Sequence, residues 1–171
     1  MGAPMTQQSF GDKVLSEGLI TALAIGGFFI IVGVVFGLTP GITGAINDLF
    51  TDFTGVSHPV INGSMILPAP AHPEAHSEVY QAIFNFMLAI GILQSVILGA
   101  RFTIHSKIKK IAETIGNTIF WLGGSIAAYT LLMTGTVAGW WQFWSMLIIL
   151  AGASLIAQYF VYLISRSKKR P

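Results

Sequence analysis

The residues best suited to chemistry lie together in His72-Pro73-Glu74-Ala75-His76-Ser77-Glu78. If this segment is a helical turn, His72 and His76 stand four residues apart and share a face. Neutral imidazoles beside carboxylates suit Cu(II), Zn or Ni. His58, or an acid such as Asp52, would complete such a site from elsewhere in the same connection. The set expected for a bound Cu or Zn is therefore His72, His76, Glu74 and His58. The spacing lacks the general-base glutamate of an HExxH helix. A plainer role competes with it: His72 caps a helix, Glu74 and Glu78 answer its dipole, and all are solvated. His105 sits in a basic segment and is expected to meet solvent or lipid headgroups.

No other catalytic arrangement is present. The chain has no cysteine, which removes disulfides, thiolate metal sites, iron–sulfur ligation and thiol catalysis. Glycine-rich phosphate loops, serine-nucleophile elbows and paired-carboxylate arrangements are missing. The basic tail is too short to read as a nucleic-acid contact. The chain is not expected to be an enzyme or to require a cofactor.

The elements that must position the histidines are apolar. Of 171 residues, 9% are charged and 53% hydrophobic. Soluble domains carry about 25% charged residues, so a soluble reading fails and an integral membrane protein follows. The run from Thr114 to Ser165 has no Asp, Glu, Lys or Arg. As one helix it would extend about 78 Å, against a hydrocarbon thickness of about 30 Å. It therefore holds two spans, with a turn near Thr134-Gly135-Thr136. Two earlier apolar runs add two more.

The sequence thus predicts an all-α, four-span membrane protein forming one domain. Its spans cover about 18–38, 79–100, 115–137 and 140–164. An outer connection, 39–78, follows the first span, a basic segment, 101–113, follows the second, and a basic tail, 165–171, ends the chain. A cleaved signal peptide is the rival reading of the first run. Its apolar part exceeds the usual 7–15 residues, and its start has one lysine against two acids, so retention is favoured.

Within the outer connection, residues 45–53 place Ile46, Leu49, Phe50 and Phe53 on one helical face and Asp48 and Asp52 on another. A short amphipathic helix at the membrane interface is predicted. Residues 55–73 are rich in Pro, Gly and Ser and read as loop. Asn62-Gly63-Ser64 matches the glycosylation sequon.

Charge sets the orientation. Lys13; Arg101, Lys107, Lys109 and Lys110; and Arg166, Lys168, Lys169 and Arg170 fall on one side of a four-span chain. Asp48, Asp52, Glu74 and Glu78 fall on the other, with no Lys or Arg. The positive-inside rule then places both termini in the cytoplasm of a cell (plasma) membrane. Trp140, Trp141 and Trp144 would anchor the outer interface.

Small residues mark where helices approach closely: Gly33 and Gly37; Gly91, Ser95 and Gly99; Gly124 and Ala128; Ala153 and Ala157. They serve packing within the bundle or against other membrane subunits. No Asp, Glu, Lys, Arg or His lies near the centre of a span, which argues against a pump or ion-coupled carrier. The two halves show no inverted repeat. The function expected is a non-catalytic accessory or scaffolding subunit of a larger membrane complex. The alternatives are an outer-face Cu or Zn protein serving a membrane enzyme and, more remotely, a lipid or small-solute channel.

Overall fold

The computed structural model describes residues 7–61 and 63–167. Five helices and one hairpin follow in order: α1 Gln7–Val32, α2 Ile42–Thr51, β1 Phe53–Val60, β2 Gly63–Pro70, α3 Ser77–Thr103, α4 Ile108–Leu131 and α5 Val137–Ser167. Among the described residues, four helices are long and apolar enough to cross a membrane: Leu15–Gly37, Pro73–Thr103, Ile108–Thr134 and Val137–Ser165. They fit a multi-pass helical bundle, as the uncharged runs predict.

The bundle is uneven. In the most apolar stretches of α3 and α4, 28% and 33% of residues are buried, against 11% in α1 and 6% in α5. The core is therefore the α3–α4 contact, with α5 on one side of it and α1 on another. Close approach at this core depends on glycine. A Cβ on Gly91 would strike the Leu122 side chain, and one on Gly124 would strike the Met87 methyl. Ala128 beside them is fully buried. On α1, Gly27 faces the Leu93 side chain, and Val35 packs with Ala82, so α1 runs antiparallel to α3.

The turns have ordinary causes. Gly135 ends the α4 segment at φ +60°, where a side chain would be strained. Thr136 then caps α5 by accepting the Gly139 N–H at 3.0 Å. At the opposite end, His105 takes φ +51° after α3, and the Ser106 N–H closes on the Arg101 carbonyl. Lys110 Nζ there meets Glu17 Oε2 at 2.7 Å, tying the start of α1 to the start of α4.

The connection between α1 and α3 differs from the sequence expectation. Residues 55–73 are not an irregular loop. They contribute most of an antiparallel hairpin, with Phe53 paired to Pro70 and Val60 to Gly63, so the chain is not purely helical. An isolated two-stranded hairpin is marginal in water. This one is held because Phe53, Val56 and the fully buried Ala69 pack on Tyr80, Leu132 and Trp140 at the ends of the helices. The preceding helix also begins earlier than expected, at Ile42, and ends at Thr51. Ile42 and Leu49 are buried while Phe50 is exposed. Phe53 leaves the helix and stacks on Phe50 from β1, ring centroids 6.3 Å apart.

Candidate functional site

The polar cluster at the hairpin end is built around Asp52, which terminates α2. Its backbone N–H bonds the Asp48 carbonyl, as in a last helical turn, and its own carbonyl accepts the Ala71 N–H at 3.0 Å. Asp52 thus sits where the chain enters β1 and where it leaves β2. A single 3₁₀ turn, Pro73–His76, then leads into α3. This turn sets His72 and His76 four residues apart on the side facing Asp52.

The Asp52 carboxylate takes three hydrogen bonds. The His72 backbone N–H donates to Oδ2 at 2.8 Å, and His72 Nδ1 lies 2.9 Å from Oδ1. His76 Nε2 lies 2.9 Å from Oδ2. His76 is buried, with its ring edge-on to Tyr80, whereas His72 is exposed. The His72 ring bond, its backbone bond and then the His76 bond hold the Asp52 carboxyl far below the usual carboxylate range. The Asp52 hydrogen bond and charge raise His72 above the ordinary imidazole value.

The structure brings together only two of the four predicted ligands. His72 and His76 converge, but on Asp52. Glu74 is exposed, and its backbone packs under Gly135 instead. His58 is not a partner of Asp52; from β1 its ring lies over Trp141, centroids 5.8 Å apart. Both Asp52 oxygens are already engaged by imidazole and amide donors. Among the described residues, no group of three or more His, Asp or Glu side chains is arranged to hold a metal ion. The arrangement is a clamp: one anion fastens the end of α2, the base of the hairpin and the entry to α3.

The remaining predicted residues divide. Trp140 is 7% exposed and packs edge-on to Phe53, while Trp144 is 44% exposed. Trp141 is half-buried under His58. Gly91, Gly124 and Ala128 face neighbours within the chain. A Cβ on Gly33, Gly37 or Gly99 would meet nothing within 4 Å. Ser95 is exposed and bonds back to the Gly91 carbonyl. Ala153 is exposed and Ala157 half-buried. Asn62 of the sequon, the last four residues of the tail and the side chain of Lys13 lie outside the described residues.

Sequence reasoning named Asp52 only as an optional fourth ligand and a polar-face residue of the amphipathic helix, placed Phe53 on the apolar face of that helix, and did not single out Tyr80. Asp52 lies 20 residues from His72, beyond any helical or strand period. The available signal was its position as the last acid of an amphipathic helix. Comparison with known proteins found no matching family, no matching curated protein and no matching solved structure.

Proposed function

We infer that this protein is a non-catalytic subunit of a larger complex in the cell membrane, with both termini in the cytoplasm. The hairpin and α2 then lie at the outer face, α2 along the interface. All Lys and Arg are confined to one end of the bundle, while the other end carries acids and no Lys or Arg, which supports this orientation.

The observation that carries the subunit reading is the division of the small residues. Gly91, Gly124 and Ala128 are consumed by α3–α4 packing. Gly33, Gly37 and Gly99 stand on helix faces that the chain leaves open. Within lipid, helices associate through close packing rather than hydrophobic burial. An open glycine face on a span that is only 11% buried is therefore suited to a helix of another chain.

Purification from native membranes in mild detergent tests this. Stoichiometric co-purification of another membrane protein is expected, and its loss in Gly33→Val/Gly37→Val while the protein stays folded. Migration as an isolated monomer with no partner would refute the reading.

A further inference from the structure

A cavity of about 730 Å³ lies between the end of α1 and the first three turns of α3. Its size is within the range of small-ligand sites, about 300–1,000 Å³. It is separate from the Asp52 clamp and does not depend on the subunit reading.

One wall is the final turn of the first span. There the helix widens: residues Gly33–Gly37 form a π turn, closed by the Leu38 N–H on the Gly33 carbonyl at 3.1 Å. Such turns often mark functional positions. Val35 from this turn and Met133 from beyond α4 give the cavity its apolar surface.

The facing wall is polar. Glu78, Gln81 and Asn85 follow one another along α3 at helical spacing. Asn85 stands about 10 Å below Glu78 along the axis. Gln81 Nε2 donates to Asn85 Oδ1 at 2.9 Å. That bond takes one lone pair of Asn85 Oδ1 and leaves the Gln81 carbonyl oxygen free. The Glu78 carboxylate makes no hydrogen bond or ion pair among the described residues. The lining therefore offers the Glu78 carboxylate and the Gln81 amide oxygen, with the Ser77 and Thr39 hydroxyls beside them, one negative charge and no cation to answer it. No Lys or Arg occurs anywhere from residue 14 to residue 100. The acids at this end of the molecule would draw a cation toward the mouth.

We propose that this cavity binds a primary ammonium group carrying a short apolar body. The three N–H donors of a primary ammonium match the Glu78 carboxylate and the neighbouring amide and hydroxyl oxygens of the lining, and the Val35 and Met133 wall takes the alkyl part. A quaternary ammonium is disfavoured, because it has no N–H and the lining contains no aromatic ring to face it. A hard metal ion would need six or more oxygens. The ammonium group has two sources, a free alkylamine or the headgroup of phosphatidylethanolamine.

The test uses the full chain in phosphatidylcholine nanodiscs, titrated with n-hexylammonium and, separately, with hexyltrimethylammonium. Saturable binding of the primary amine is expected, at least tenfold tighter than the quaternary one. Glu78→Gln should weaken it at least tenfold, and Glu74→Gln, outside the lining, should not. Native mass spectrometry from mixed-lipid nanodiscs supplies the second arm. Selective retention of phosphatidylethanolamine that Glu78→Gln abolishes would assign the lipid as source, and amine binding without such retention would assign the free amine. Thermal unfolding checks each variant, and Gln81→Leu repeats the test if Glu78→Gln does not fold. Equal binding of both amines without selective lipid retention, or selective binding unaffected by the folded variants, would overturn the proposal.

Discussion

Asp52 does for this protein what several separate residues would do elsewhere. One side chain and its carbonyl fasten Ala71, His72 and His76. The clamp is an electrostatic object, so its strength follows pH. The Asp52 carboxyl is depressed, so its contribution is complete above the free value of about 3.9 and is lost as pH falls toward the lower folded value. His72 is raised, so its contribution is complete below about 6.5 and is lost as pH rises through the folded value. Both act fully only between those limits. The protection of the hairpin amides, taken as the ratio of intrinsic to observed hydrogen exchange at each pH, is expected to be greatest between about pH 4 and pH 6.5. Asp52→Asn should flatten that protection profile and lower protection throughout, and an unchanged profile would refute the clamp. Chelators should leave it unaltered, since the carboxylate is engaged by nitrogen donors already. The two histidines were legible in the sequence from their spacing. Their acceptor was not, because a contact across 20 residues is made by the hairpin, and the hairpin was unseen.

At the scale of elements, the spans were readable because their signal is length and the absence of charge, which needs no partner to be recognised. Their ends moved by a few residues, as caps and last turns extend past the apolar core. The hairpin was obscured by its composition. Pro59, Pro68 and Pro70 cannot donate to a ladder and read as breakers. Gly55 reads the same way, yet it is there because the Ile66 side chain crosses 2.7 Å from where its Cβ would stand. Both strands are edges, so prolines are tolerated and pairing with other chains is discouraged. The packing glycines were legible as a class, but which were internal was not, since that depends on helix rotation. Gly91→Val and Gly124→Val would overpack the α3–α4 contact, at a cost of about 1–3 kcal/mol each. Gly37→Val would meet open space. Thermal unfolding in detergent is therefore expected to drop for the first two and to hold for the third. Equal losses at all three positions would contradict the division drawn here.

The whole molecule is polar in the electrical sense, all its Lys and Arg at one end and only acids at the other, and this pattern was legible because it is carried by the sequence alone. The orientation proposed from it can be read with single cysteines, since the chain has none of its own. Ser64→Cys in β2 is expected to react with a membrane-impermeant thiol reagent on intact cells. His105→Cys, between α3 and α4, is expected to react only after permeabilisation, and the reverse pattern would invert the topology. The uneven bundle has a further consequence, in time rather than space. The first span leaves the ribosome well before α3, the helix it packs against, has been made. At about 5–20 residues per second, about 3–13 seconds separate the end of the first span at Gly37 from the end of α3 at Thr103. During that interval the first span has no companion from its own chain, and its bare glycines are presented to whatever neighbour is being inserted nearby. For the subunit role proposed above, this order of helices favours assembly during synthesis rather than between finished proteins.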